Sequence, residues 1–326
     1  MSNAAQVDGV GGRGRGAARS RLADYAPTYG ALAALVLLFV ANSLLTPNFF
    51  DLNNFRNILL QVSPTVLVAV GMTFVIATGG IDLSVGAVMA IASAVAATSL
   101  DGGVLVAVLL ALAVTTSAGA FNGALISGFR IQPIIVTLAL LISGRGVAQV
   151  INGGQLIPFS NPAFEWLGRG QIVGVPVQVL LMLVAVAAAI FFMRMTVFGR
   201  YVVAVGGNES AARLAGIKVG RTKVKVYALS GLLAGLAGLI ETARQGASDA
   251  PNIGLNIELD AIAATVVGGT PLTGGRATVV GTLIGALIMQ IITTSFNMNG
   301  VSYAWSLVIK AAIIIVAVYV QRPKLA

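Results

Sequence analysis

Arg194 to Lys225 reads RMTVFGRYVVAVGGNESAARLAGIKVGRTKVK, and no other part of the chain is like it. It carries seven of the chain's twenty basic side chains, Arg194, Arg200, Arg213, Lys218, Arg221, Lys223 and Lys225, against a single acid, Glu209. Long apolar runs resume on both sides, so this is a polar segment wedged between membrane spans. The side it faces sets the orientation of every other span.

The chain of 326 residues is 57% apolar and 10% charged, with a mean hydropathy of +0.93. A water-soluble domain has about a quarter of its residues charged. Repeated apolar runs of about 20 residues match the length that a bilayer core requires. The chain is therefore read as all-α, a polytopic transmembrane helical bundle. It has neither cysteine nor histidine. Disulfides, thiolate or imidazole metal sites, and Ser-His or Cys-His nucleophiles are thereby excluded, leaving only a carboxylate metal site formally open. The net charge of +9 raises the question of nucleic acid. In a membrane protein, basic residues mark cytoplasmic loops, and none of these residues calls for a nucleic-acid partner.

Residues 1–26, with GGRGRGAARSR at their centre, read as a disordered basic tail. The run Tyr29 to Leu45 lacks a small-x-small cleavage site and reads as a retained first span. Helical spans are expected near 28–46, 57–79, 83–100, 103–128, 132–152, 175–193, 224–244, 257–269, 276–297 and 302–321. That makes about ten, of which the eighth is too short to cross and is half-length, broken or re-entrant. With the N-terminus inside, Arg13, Arg15, Arg19, Arg21, Arg130, Arg276, Arg322, Lys324 and the seven of the opening stretch are cytoplasmic, fifteen of the twenty. That asymmetry predicts both termini in the cytoplasm and an even number of spans. Phe49, Phe50, Phe55 and Trp166 suit the external interface. Gly231, Gly235 and Gly238 predict close helix packing. Gly79 to Gly86 (GGIDLSVG) echoes Gly268 to Gly275 (GGTPLTGG), both at span ends on one side. The echo raises an internal repeat as one reading and chance as the other.

Within the polar stretch, Asn208 is a good N-cap, Glu209 opens the first turn and pairs in register with Arg213, and Gly216 is placed to end the helix. Ala211, Leu214 and Ala215 share one face. A helix of about eight residues does not stand alone, so it either folds onto its own bundle or docks on a soluble partner. At membrane depth, Asp82, Arg145, Glu241, Glu258, Asp260 and Lys310 are costly unless paired or wet. Asp82 is expected to cap the third span before Ser84. Glu258 and Asp260 suit the positive start of the eighth, and Arg145 and Glu241 are placed to snorkel outward. Lys310 sits inside its span and needs a partner among Asp82, Asp260 and Glu258, or a neighbouring chain, or a wet path. Asn122, Thr73, Ser143, Gln149 and Asn152 offer the amides and hydroxyls a neutral polar solute would use, and serve interhelical bonds equally well.

The string GRYVVAVGGNESAARLAGIKVGRTKVKVYALSG closely resembles the cytoplasmic loop of the ribose-type monosaccharide permeases of bacterial ABC importers. GMTFVIATGGIDLSVGAV, IELDAIAATVVGGTPLTGGR and VGTLIGALIMQ are also similar to that family of binding-protein-dependent inner-membrane transport subunits. The likeness covers residues 28 to 321. It implies a permease domain over 27–326 with a cytoplasmic coupling loop at 194–225, whose short helix, through Gly207, Asn208, Glu209, Ala212, Arg213, Leu214 and Gly216, sits in a cleft of a cytoplasmic ATPase. Ala215 stands where serine is common in relatives. Further implied partners are a periplasmic sugar-binding protein and a second permease copy, in the bilayer of the bacterial inner membrane. ATP and magnesium belong to the ATPase. This chain has no GxxxxGK[ST] sequence, and no cofactor or enzymatic activity is expected of it. Asp82, Ser84, Asn122, Arg145, Asp260 and Lys310 are the candidates for a pathway or buried polar network. The competing reading is an ion-gradient transporter using Asp82 and Asp260 as ion sites. An intramembrane enzyme lacks any paired nucleophile and base. Ribose, xylose, arabinose, galactose, galactofuranose and inositol all fall within what the resemblance implies.

Overall fold

The computed structural model describes the backbone of residues 13–321 and the side chains of 28–319. Each of the ten expected spans is a helix: α1 (Arg13–Leu45), α2 (Leu52–Ala77), α3 (Val85–Ser99), α4 (Val104–Gly128), α5 (Pro133–Ile151), α7 (Val177–Met195), α10 (Val219–Gln245), α11 (Ile257–Val267), α12 (Val279–Met298) and α13 (Tyr303–Gln321). Eight of them, all but α11 and α13, are long and apolar enough to cross a membrane. The 11 residues of α11 rise only about 16 Å, half a bilayer core, as its short sequence required. The described backbone of 13–26 continues α1, where a disordered segment was expected. Ala17, Ala18, Leu22 and Ala23 are strong helix formers, and composition alone underweighted them. Residues 1–12 of that tail, and Arg322 and Lys324, lie outside the described residues.

Three further helices were less legible or not foreseen: α6 (Pro162–Arg169), α8 (Val197–Gly207) and α9 (Glu209–Leu214). α6 carries its own signature, since Asn161 Oδ1 accepts from Phe164 N, Pro162 opens the helix and Glu165 reaches back to Asn161 N. α8 is rich in valine and glycine and is helical because Gly199, Val202 and Val205 are buried. Tertiary packing outweighs propensity there. Two short antiparallel pairs complete the chain, β1 (Ile157–Pro158) with β4 (Ala247–Ser248), and β2 (Gln171–Ile172) with β3 (Val175–Pro176).

α2 and α10 form the centre. α2 is buried from Val62 to Ala77 except at Thr65, and α10 lies against α2, α3 and α4. Side chains at Gly231 and Gly235 would overlap Thr115 of α4, and one at Gly238 would overlap the Met89 backbone of α3, so the small-residue spacing serves packing as expected. Phe49 is buried, against the interfacial position predicted for it, in a ring cluster with Phe39, Phe50 and Phe55. The loops divide between two ends. Residues 77–80, 206–207 and 274–275 meet at one; 152–169 and 244–248 meet at the other, where Asn152 Nδ2 donates to Ser248 and Arg169 Nε to the Arg244 carbonyl. This is the same division of loops that the basic residues predicted.

Candidate functional site

The short helix α9 is built from its caps. Asn208 has extended backbone and its Oδ1 accepts from Ala211 N at 2.9 Å. Glu209 Oε1 receives Arg213 Nη2 at 2.9 Å. At the other end Gly216 takes φ +82°, its N–H reaching the Arg213 carbonyl and that of Ile217 reaching Ala212. A left-handed residue closes the helix this way, and glycine adopts it without strain. The closure makes α9 six residues long, shorter than the eight expected, because Ala215 is already the cap.

The first expectation for α9, packing onto its own bundle, holds on one face. Ala212 is buried with Val205 of α8 and Val219 of α10. Lys223 of α10 donates to Glu209 Oε2 at 2.7 Å and ties the helix to the bundle. The face of Ala211, Leu214 and Ala215 points away, with Leu214 90% exposed. The hydrogen bond from Lys223 holds the Glu209 carboxyl below the ordinary carboxylate range. The tie is therefore complete at neutral pH and is lost only as pH falls below 4.5 and through the lowered value. Beside it, a cleft of about 440 Å³ is lined by Arg130, Gln132, Glu209, Arg213 and Lys223.

α9 hangs from α8, whose last residues rest on two glycine turns. Gly275 N donates to the Ala77 carbonyl at 3.0 Å. A Cβ at Gly206 would overlap that same carbonyl and crowd Gly275 N. Gly206→Ala is accordingly expected to raise amide hydrogen exchange severalfold across 204–216 while α2 and α10 exchange as before. Unchanged exchange there would show that the junction can yield. The glycine echo reappears as geometry one residue out of the expected register. Gly79 N and Gly80 N reach the Ile76 and Val75 carbonyls, as Gly269 N and Thr270 N reach those of Val266 and Thr265.

Asp82, Ser84 and Asn122 do come together, 1% exposed each. Ser84 donates to Asp82 Oδ1 through its N–H at 3.0 Å and through its hydroxyl, Ser230 of α10 donates to Oδ2 at 2.8 Å, and Asn122 of α4 donates to Ser84 Oγ at 3.1 Å. Asp82 does not cap α3, contrary to expectation. Ser84 holds the cap position and makes no side-chain cap bond, its hydroxyl being directed to Asp82 Oδ1. Ser230 escaped the sequence reading, since nothing local joins positions 148 residues apart.

Arg145 and Lys310 lie apart from that network. Arg145 Nη1 donates to the Ala250 and Ile253 carbonyls, binding the segment before α11 where snorkelling was expected. Of the three carboxylates offered to Lys310, Asp260 is the partner, at 2.9 Å. The Lys310 side chain is 8% exposed and that of Asp260 32%. Glu258 and Asp260 both lie in the first turn of α11, as expected. Thr73 bonds Thr282 across helices and Ser143 bonds back to Ala139, so those hydroxyls serve packing. No group of three or more metal-ligating side chains occurs among the described residues.

Residues 54–318 match the family described as branched-chain amino acid transport system / permease component. The chain is 45% identical to the ribose import permease protein RbsC of Escherichia coli (strain K12), covering 90% of this chain and 93% of the relative. It is 40% identical to the galactofuranose transporter permease protein YtfT of the same strain (90% and 89%) and 39% identical to the fructose import permease protein FruF of Bifidobacterium longum (80% and 75%). No solved structure matches it. A match across most of the helical bundle, with relatives of this identity over most of both chains, places this protein in the family of branched-chain amino acid transport system permease components.

Proposed function

We propose that this protein is the membrane-spanning permease subunit of an ATP-binding-cassette importer that moves a monosaccharide into the bacterial cytoplasm. The observation that carries the reading is α9, a helix too short to stand alone, anchored on one side through Ala212 and Glu209 and offering Leu214 outward on the other. Relatives named as importers of ribose, galactofuranose and fructose support a sugar as the solute. Gly207, Asn208, Glu209, Ala212, Arg213, Leu214 and Gly216 are the contact element for a cytoplasmic ATPase, which holds the ATP and magnesium. A periplasmic sugar-binding protein delivers the sugar, and a second copy of the permease completes the channel. Both termini lie in the cytoplasm of a cell bounded by this inner membrane. The carboxylates that an ion-gradient mechanism would need are engaged otherwise, Asp82 by two serines and Asp260 by Lys310.

Uptake of D-ribose by cells carrying the complete importer tests this. Depleting ATP is expected to stop uptake, and dissipating the proton gradient at constant ATP is expected to leave it running. The opposite pattern would establish ion-driven transport.

A further inference from the structure

At the end of the bundle away from α9, a cavity of about 170 Å³ opens between α2, α10 and α11. Gln61 and Thr65 of α2, Glu241 and Arg244 of α10, Asn252 and Asp260 line it. Several of these groups have bonding capacity to spare. The Thr65 hydroxyl makes no hydrogen bond among the described residues, whereas Thr73, Thr115 and Thr242 each bond back four residues along their helices. Gln61 accepts from Gln290 through Oε1 and keeps its amide N–H groups free. Asp260 gives Oδ1 to Lys310 and retains Oδ2. Arg244 makes no ion pair among the described residues.

A proline within the continuous α2 and the start of the short α11 meet at this place. Pro64, in the cavity wall and inside α2, cannot donate to the Leu60 carbonyl. α11 begins only after Asn256, which is left-handed at φ 62°. Gln61 to Thr65 follow the start of α2 by nine to thirteen residues, roughly 14–20 Å down the helix. Half-length helices such as α11, whose ends lie within the membrane, are where transporters hold their solutes. The charges balance, Glu241 and Asp260 against Arg244 and the Lys310 beneath, so the wall offers donors and acceptors without a net field. A neutral polyol, whose hydroxyls each donate and accept, fits such a wall better than an ion does. A cavity of about 470 Å³ at the other end is lined mostly by apolar residues, Ile190, Met193, Val203 and Val280 among them, and carries Arg194 with no acid to balance it.

We propose that this cavity is the intramembrane transit site for the hydroxyl-rich solute, with Thr65, Arg244, Asn252 and Asp260 as its contacts. The inference rests on the sugar-importer reading above. Because the chain has no cysteine, Thr65→Cys and Asn252→Cys each introduce a unique thiol. Val173→Cys, at a position 98% exposed, is the control. In the complete importer, labelling by a membrane-impermeant maleimide is measured with binding protein and ATP, with and without D-ribose. D-ribose is expected to slow labelling severalfold at 65 and 252 and to leave 173 unaffected. Thr65→Val, which keeps the shape and removes the hydroxyl, is expected to raise KM for uptake about fivefold, the size of one lost hydrogen bond. An unaltered importer that takes up none of ribose, xylose, arabinose, galactose, galactofuranose, inositol and fructose overturns the functional reading together with the inference. Active uptake with sugar-independent labelling at 65 and 252 and an unchanged KM overturns the inference alone.

Discussion

Glu209→Arg, in the assembled importer, is expected to leave the amount of permease in the membrane unchanged and to cut sugar uptake by more than about tenfold while ATP hydrolysis continues, a factor that corresponds to only about 1.4 kcal/mol. Glu209 receives Lys223 at 2.7 Å and Arg213 at 2.9 Å. Each is a partly exposed pair, and such pairs contribute little to overall stability. Their work is positional. Six residues of helix have no stability of their own, and Ala212 supplies only one small buried side chain. An arginine at 209 removes both ties and adds a third cation beside Arg213 and Lys223, with Arg130 across the cleft. α9 then leaves the bundle, and force on its outer face no longer reaches α8 and α10. Glu209→Gln, which still accepts hydrogen bonds, is expected to lose less. Unchanged uptake with unchanged ATPase binding in Glu209→Arg would refute the coupling role.

The second large effect belongs to Lys310. Lys310→Met leaves the Asp260 carboxylate unpaired at membrane depth; breaking a fully buried pair costs about 3 kcal/mol or more, and the cost here is smaller because the Asp260 side chain is 32% exposed. The detergent-solubilised protein is expected to unfold several degrees lower. Adding Asp260→Asn is expected to restore most of the loss, because the stranded charge, more than the missing contact, is what destabilises. A double variant no more stable than the single one would show that the pair acts by geometry instead. α13 meets the bundle through α11 and α12, so the loss should appear first as increased exchange in α11 and α13.

Much of this molecule is legible in its sequence, for local reasons. Apolar runs set the ten helices, eight of which meet the bilayer's demand within their own length. The eighth reads as short because it is short. The start and end of α9 are visible in Asn208, Glu209, Arg213 and Gly216, since capping acts within a turn. α8 was not visible, because its helical state is decided by burial of Val202 and Val205 against other elements.

What the sequence by itself determined, then, is the presence and order of the ten apolar helices and the caps of α9, all set by a residue's chemistry within a few positions. Only the tertiary structure decided that Asp260 and not Asp82 holds Lys310, across 50 residues, and that Lys223 holds Glu209 and Ser230 holds Asp82. It also decided that Gly206 rests on Ala77, and that Gln61, Thr65, Arg244 and Asp260 face one cavity. Those pairings depend on which faces the helices turn to one another. In a bundle whose spans are apolar nearly all round, the pattern along one helix does not say which face meets which neighbour.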